Sequence, residues 1–551
     1  MKRLSINGLL VYAAALMAGC AALTPAPDAP VDVKVLAIND FHGNLKPPLG
    51  GVRIKDPANP GKTMNVPAGG AEYMATLVGQ LRAKNANHVF VAAGDLIGAS
   101  PLLSALFRDE PTIESLSLMG LEISAVGNHE FDKGAVELLR MQIGGCHVGE
   151  GCKGPRPFAG AKFQYLAAST VDEHTGKTLL PPYAIKRFQG IPVAFIGLTL
   201  KDTPGIVVPA GVAGLKFRDE AETVNELVPQ LHAQGIRAIV LLIHEGGVPT
   251  GEYNECPGIS GAIVGIVNKL DKAVDLVVSG HTHRAYNCRI DGRLVTSADK
   301  FGTMVSEIDL KLDPRTGGVI SAEAENLIVY NDRYAMDPAQ SALIGVYEKL
   351  AAPLAKRVVG RTGAALSRDA SPAGETPLGQ LVADAQLEAT RAAADGGAQI
   401  AFMNPGGMRT SLPAGELRYE DLFAAQPFYN NLVTLTLSGA QLLELLEQQW
   451  MNQHRVLQVS QGFSYTWDAG KPAGSRVVRG SVTLDRKPLD MAADYRVTVN
   501  SFLAGGGDGF TLLPKGRDRR TGMMDVDALE LYIARNASIT PGALDRIKRL
   551  N

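Results

Sequence analysis

The stretch VKVLAINDFHGN (33–44) decides how this chain is read. Its first six residues form an apolar, β-branched run suited to a buried strand, and the run leads into Asp40-Phe41-His42. The single intervening residue lets Asp40 and His42 point to the same side of an extended chain. Four further apolar runs end in the same manner. HVFVAA (88–93) leads into Gly94-Asp95, ISAV (123–126) into Gly127-Asn128-His129-Glu130-Phe131-Asp132, RAIVLLI (237–243) into His244, and AVDLVVS (273–279) into Gly280-His281-Thr282-His283. Another run, IPVAFIGL, covers 191–198. Helix-like segments such as Glu72 to Lys84 and Glu220 to Gln234 separate the runs. Strands alternating with helices predict a layered α/β architecture, in which ligands gather beyond the carboxyl ends of the strands.

Five of the ten histidines fall in these strand-end motifs. A lone Asp-x-His is usually structural, and a lone strand-end histidine is as often a hydrogen-bonded core residue. The ordered set of five motifs is not explained that way. Carboxylates and imidazoles together suit Zn²⁺ or Mn²⁺. A carboxylate has two oxygens and can bridge two ions about 3.5–4 Å apart, which clamp the attacking and leaving oxygens of a phosphoryl transfer. Asp95 is the natural bridge.

The order Asp-x-His, Gly-Asp, Gly-Asn-His-Glu, His and Gly-His-Thr-His resembles that of the calcineurin-like metallophosphoesterases. The forms NDFHGN (39–44), GNHEFD (127–132) and SGHTH (279–283) are similar to the 5′-nucleotidase branch, which also holds UDP-sugar hydrolases and cyclic-nucleotide phosphodiesterases. The resemblance runs from Val33 to the C-terminus. It implies an N-terminal α/β/β/α sandwich, a linker helix and a C-terminal α/β substrate-binding domain. It implies one divalent metal ion on Asp40, His42, Asp95 and His283, a second on Asp95, Asn128, His244 and His281, and a catalytic dyad of His129 and Asp132. Some relatives carry Gln at the place of His283, which leaves the metal preference of that site open. A cationic imidazole beside the phosphoryl group stabilises developing charge or protonates the leaving oxygen, and a carboxylate three residues on orients the ring and raises its pKa.

The second half contains Asn404-Pro405-Gly406-Gly407-Met408-Arg409, where paired glycines permit close backbone approach and an arginine can clamp phosphate. Taken alone, this is a solvated turn. Gln426-Pro427-Phe428-Tyr429-Asn430, Asn500-Ser501-Phe502 and Gly505-Gly506-Gly507-Asp508-Gly509 could build a base pocket. By resemblance, Arg368 and Arg409 bind phosphate, Asn404 and Asn430 contact the nucleoside, Phe428 and Phe502 stack the base, and Asp508 holds the ribose. A second arginine that some relatives carry about four residues after Arg368 is Pro372 here, which puts tight binding of diphosphates in doubt. Tyr429, where relatives often have Gly, narrows the expected pocket.

The chain has 551 residues, enough for two or three domains, and its net charge of −2 gives no basic excess for a nucleic-acid partner. Lys2 and Arg3 precede the apolar stretch Leu9 to Met17, which is too short to span a bilayer. Leu16-Met17-Ala18-Gly19-Cys20 resembles a bacterial lipobox, with Met17 where that pattern prefers Leu. The expected division is a signal peptide (1–19), a lipidated tether from Cys20 (20–33), a metallophosphoesterase domain (34–335), a linker helix (336–360) and a nucleotide-binding domain (361–551). Helices are predicted for Ser341 to Arg357, Leu378 to Ala394 and Ser438 to Gln449. Cys146, Cys152, Cys256 and Cys288 form an even set in an oxidising compartment, and the favoured pairs are Cys146–Cys152 and Cys256–Cys288. The expectation is an extracytoplasmic, membrane-anchored, monomeric enzyme that hydrolyses nucleoside 5′-monophosphates with two metal ions and a metal-activated water. UDP-sugar hydrolase and 2′,3′-cyclic-nucleotide phosphodiesterase with 3′-nucleotidase activity are its rivals. A rival of another class is a non-catalytic surface nucleotide-binding lipoprotein. Because a nucleotide must touch both halves, they are expected to move against each other during turnover.

Overall fold

The structure, a computed structural model, describes residues 29–451, 454–536 and 538–551. Cys20 and the signal segment lie outside the described residues. Two six-stranded sheets form the first half. In spatial order, one contains Val319–Ile328, Met304–Leu312, Val31–Ile38, His88–Ala92, Ile123–Ala125 and Gln164–Leu166. The other contains Ala285–Ile290, Arg293–Ala298, Leu276–Ser279, Ala238–His244, Ile191–Thr199 and Tyr183–Phe188. The strands that lead into the metal-type motifs are interior and pair in parallel with their motif-bearing neighbours, so their carboxyl ends reach one rim.

The near-continuous apolar character of these runs has a direct cause: both faces of each sheet are covered. Val33, Val35 and Ala37 face inward with Val89 and Val91, against Phe195, Val240, Leu242 and Val278 of the second sheet. Leu36, Ile38 and Phe90 face outward beneath helices Ala71–Ala83 and Glu110–Met119. Ile196, Ile239 and Leu241 lie beneath helix Glu220–Ala233. The result is the expected α/β/β/α sandwich.

The run AVDLVVS becomes a strand only at Leu276, because Val274 N–H donates to Asp271 O at 3.1 Å and closes a turn first. The hairpins Ala285–Ile290/Arg293–Ala298 and Met304–Leu312/Val319–Ile328 widen both sheets and were not anticipated; exposed polar residues interrupt the second hairpin's apolar pattern. The linker helix spans Pro338–Ala355, starting earlier than the apolar pattern suggests. Asp337 caps it by accepting from Ala339 and Gln340 N–H, with Pro338 in its first turn.

In the second half a five-stranded sheet runs Gln458–Val459, Ile400–Met403, Asp494–Asn500, Asn431–Ser438 and Arg517–Met524. Helices Pro377–Thr390, Gly439–Gln448 and Asp525–Arg535 accompany it. The first is shorter than Leu378 to Ala394, since the chain leaves the helix at Thr390 and makes a short turn at Ala393–Asp395. Tyr347 and Ala351 of the linker helix pack with Leu102 and Phe107 of the first half and with Leu378 and Tyr419 of the second. Cys146 is bonded to Cys152, and Cys256 to Cys288. Among the described residues, no helix is long and apolar enough to cross a membrane.

Candidate active site

All seven residues expected to bind metal meet at the rim of the two sheets. Asp40, His42, Asp95, His281 and His283 have positive φ, between 45° and 68°. Non-glycine residues rarely adopt that conformation, and such strain persists only where the surroundings enforce it. Three of the five strands, those before Asp40, Asp95 and His281, therefore end in left-handed turns that swing these side chains into the crevice, whereas Asn128 and His244 enter it without one. Space for the Asp95 carboxylate depends on Gly127, where an added Cβ would lie 2.2 Å from Asp95 Oδ1.

The donor atoms converge in two overlapping groups. Asp40, His42 and His283 form one triplet and Asp95, His244 and His281 another, each with ligand atoms within 4.8 Å of one another. Asp95 belongs to both neighbourhoods, because His42 Nε2 lies 3.5 Å and His244 Nε2 3.0 Å from its Oδ2. A third triplet joins His42 and Asp95 to His129. The tautomers favour metal binding. His42 Nδ1 contacts Gly98 O at 2.8 Å and His244 Nδ1 contacts Ala93 O at 2.8 Å. With Nδ1–H donating to these carbonyls, each Nε2 lone pair faces the crevice. Asn128 Oδ1 is buried without a hydrogen-bond partner, and the equally buried Asp40 Oδ1 and His244 Nε2 meet only other groups of the cluster, His283 Nε2 at 3.2 Å and Asp95 Oδ2 at 3.0 Å. Buried polar atoms are seldom left so, and a pair of divalent cations would satisfy all three. The donor set fits such ions.

The pocket's electrostatics agree. Burial opposes ionisation of the Asp95 carboxyl, but His244 and His129 outweigh it and hold its pKa well below the usual range. Burial likewise opposes the His244 cation, yet Asp95 and Asp40 lift its pKa to about 10. Burial and the neighbouring His244 press His281 down to about 3.

His129 Nδ1 lies 2.7 Å from Asp132 Oδ2, and the His129 backbone N–H donates to Asp95 Oδ1 at 2.9 Å. Burial lowers the His129 pKa, but Asp132 and Asp95 together raise it above its ordinary value. Its Nε2 is thus the free edge of an imidazole biased toward the cation.

Two supporting residues escaped the sequence reading. Glu130 accepts from Gly127 N–H at 2.7 Å, Leu96 N–H at 2.8 Å and Asp95 N–H at 2.9 Å, tying two metal-site loops together. Asn39 donates to Asp40 Oδ2 at 2.7 Å and accepts from Ala298 N–H at 2.7 Å, fixing Asp40. Both stand inside the motifs NDFHGN (39–44) and GNHEFD (127–132), a position that by itself does not separate a brace from a spacer.

A cavity of about 350 Å³ joins this rim to the second half. Asp95, Asn128, His129, Asp132, His281 and His283 line one side; Asn404, Arg409, Phe428, Asn430, Phe502 and Asp508 line the other. The Phe428 ring stacks on His129 with centroids 5.9 Å apart, and Arg409 Nη2 comes within 3.5 Å of His42 Nε2. Asn404 donates to Asp508 Oδ2 at 2.8 Å, and Arg455 pairs with Asp508 Oδ1 at 3.0 Å. Asn500 donates to Asn404 at 2.9 Å, and Ser501 donates to Asn430 at 2.9 Å. Asn500, from the stretch expected to build the pocket, lines the cavity too, as does Arg455, which the sequence reading did not single out. Tyr429 also borders it, with its ring packed on Phe423 at 4.9 Å. Arg368 stands apart: it is exposed, donates to Arg409 O at 2.5 Å, and faces a different cavity.

A sandwich with this clustered donor set, beside a histidine–aspartate pair, defines a metal-dependent phosphoester hydrolase. The family model described as calcineurin-like phosphoesterase matches residues 33–285, and that described as 5′-nucleotidase, C-terminal domain, matches residues 357–515. The chain belongs to the 5′-nucleotidase family of calcineurin-like phosphoesterases. It is 31% identical over 542 residues to Endonuclease YhcR of Bacillus subtilis, covering 97% of this chain and only 42% of that protein. It is 32% identical over 558 residues to Cell wall protein Lmo0130 of Listeria monocytogenes, covering 93% of this chain and 68% of that one. The structure of a 5′-nucleotidase precursor from Thermus thermophilus superposes with a TM-score of 0.78 at 29% identity, covering 95% of this chain and 100% of that one.

Proposed function

We propose that the chain hydrolyses nucleoside 5′-monophosphates to nucleoside and phosphate outside the cytoplasm. The observation that carries this reading is the single cavity lined by the metal-type cluster from one half and by Phe428, Phe502 and Asp508 from the other. Asp40, His42, Asp95 and His283 would hold one divalent cation and Asp95, Asn128, His244 and His281 a second, Zn²⁺ or Mn²⁺, supplying Lewis acidity to the phosphoryl oxygens and the attacking water. Arg409 clamps the phosphate. Its guanidinium has no ion-pair partner among the described residues, and its Nε is buried unpaired. Burial and the nearby Arg368 lower its pKa to about 10, so it keeps its charge at neutral pH. His129, oriented through Nδ1 by Asp132, offers Nε2 to the leaving oxygen or to charge developing on the phosphoryl group. Phe502 and Phe428 hold the base, Asn404 and Asn430 contact the nucleoside, and Asp508 accepts from the ribose hydroxyls.

The domain division at 34–335, 336–360 and 361–551 belongs to this reading, with helix Pro338–Ala355 as connector. Two disulfides and the likeness to a cell wall protein support an extracytoplasmic site, and the lipobox-like segment supports a lipid anchor at Cys20. Phosphate release from AMP, UDP-glucose and 2′,3′-cyclic AMP, measured side by side on the metal-loaded chain, tests the reading. AMP should be the best substrate by kcat/KM. A clear preference for either of the others transfers the assignment to that rival, and absence of turnover on all three leaves only a binding role.

A further inference from the structure

A second cavity, about 1090 Å³, lies on the other side of the same cluster. Ala99, His283 and Arg409 border both cavities and so form the wall between them. Arg284, Lys300 and Arg368 border only the larger one. With Arg409, they place four cations around one mouth.

Their charge is poorly balanced. Asp299 acts on Lys300, and Asp369 acts on Arg368. Of the other carboxylates of this cavity, Glu348 pairs with Lys46 at 3.3 Å, Glu252 with Lys55 at 3.7 Å, and Asp421 accepts from Arg418 N–H at 2.8 Å, while Glu420 feels Arg418 and Lys356 and not the four cations. Among the described residues, neither Lys300 Nζ nor the Arg284 guanidinium has a hydrogen-bond or ion-pair partner; Lys300 Nζ lies over the Phe301 ring, 5.6 Å from its centroid. Burial lowers the Lys300 pKa despite the pull of Asp299, and Arg284, Arg368 and Arg409 press it down further. Lys300 is half-buried and Arg284 and Arg368 are exposed, and a cluster of like charges at one cavity is satisfied by a multivalent oxyanion.

We propose that this cavity is a second phosphate subsite, in which Arg284, Lys300 and Arg368 hold a phosphate group beyond the His283–Arg409 wall. The location of the first phosphate rests on the reading given under Proposed function. The ligand chemistry is a phosphate oxyanion, and two sources can supply it. One is orthophosphate released by hydrolysis, which would leave on the side away from the nucleoside. The other is a second phosphate in a substrate that continues past the reacting phosphorus.

The test uses the full metal-loaded chain and the double variant Arg284→Met/Lys300→Met. Calorimetric titration with sodium phosphate should find two phosphates per wild-type chain. The variant should lose the second or bind it more weakly, by on the order of tenfold for each charge-assisted contact removed. A parallel arm compares kcat/KM for diadenosine 5′,5′-diphosphate with that for AMP. A change confined to phosphate binding assigns the site to released product, and a selective loss on the diphosphate assigns it to extended substrates. The charge-preserving variant Arg284→Lys/Lys300→Arg should retain both properties, which separates charge from folding. If the wild type binds one phosphate, or if both arms are unchanged in a folded double variant, the subsite is rejected. If AMP is not hydrolysed while the second phosphate is still lost in the double variant, the subsite stands and the nucleotidase reading fails.

Discussion

Replacing Phe502 with alanine should distinguish base recognition from phosphate chemistry. One face of the Phe502 ring is committed to Gly507, where an added Cβ would sit 2.4 Å from the ring. The ring is half-buried and borders the 350 Å³ cavity, so one stacking surface remains for a nucleobase. Loss of base–aromatic stacking costs about 1–3 kcal/mol, which converts to a fall of about 5- to 150-fold in kcat/KM for AMP. Among the described residues, no ring or cation contact joins Phe502 to the metal-type cluster or to His129, so turnover of p-nitrophenyl phosphate should change far less. Phe428 is different. It stacks on His129 with planes 24° apart, and the Arg409 guanidinium lies 6.0 Å from its ring centroid. Phe428→Ala should therefore impair both substrates, because it frees the dyad histidine and the phosphate clamp together. Sequence reasoning treats the two phenylalanines as equivalent; their neighbours do not. The assay is steady-state kinetics on AMP and p-nitrophenyl phosphate for both variants at fixed metal concentration. Equal losses on the two esters in Phe502→Ala would assign that ring to the core and refute the reasoning.

Asp95→Ala should abolish turnover of all phosphoesters and lower the metal content measured by elemental analysis; two bound ions with near-normal turnover would exclude the bridging role. His129→Ala should retain both metals while kcat falls by ~10²–10⁴-fold, with a smaller loss for Asp132→Asn. Because His129 also lies in a triplet with His42 and Asp95, loss of an ion in His129→Ala would reclassify it as a ligand. Burial raises the Asp525 carboxyl to about 7 from an ordinary 3.8, and its Oδ2 has no partner. The unfolded chain thus releases this proton first, so the group costs stability progressively as pH rises from about 4 to about 7, by no more than about 4 kcal/mol. Asp525→Asn should flatten the fall in Tm over that window, and parallel Tm–pH curves would contradict it. Finally, a reversible disulfide engineered across the cleft should stop multiple turnovers of AMP and release them on reduction. The closeness of Arg409 to His42 means that substrate needs the halves to part; unchanged steady-state kcat in the locked form would mean that they need not.

The sequence by itself determined the layered α/β core and its metal-type residues, and the family resemblance supplied the two-sheet sandwich. Parallel strands covered on both faces must be apolar throughout, so VKVLAI, HVFVAA and RAIVLLI announce themselves, and the polar residues that end them stand out by contrast. Hairpins such as Met304–Leu312/Val319–Ile328 were less legible, because a sheet edge that is partly solvated carries a mixed pattern. Tertiary structure alone decided what the convergence does. The left-handed turns at Asp40, His42, Asp95, His281 and His283 depend on loop packing across two sheets. The bracing by Glu130 and Asn39 depends on backbone groups far away in sequence, such as Ala298 N–H. The separation of Arg409 from Arg368, one bordering both cavities and the other only the larger, depends on how the second half is set against the first. Local sequence fixes which side chains lie near a strand end, through a backbone period of two residues. It does not fix where a partner from another strand or another half will stand, because that distance is set by packing summed over the whole molecule.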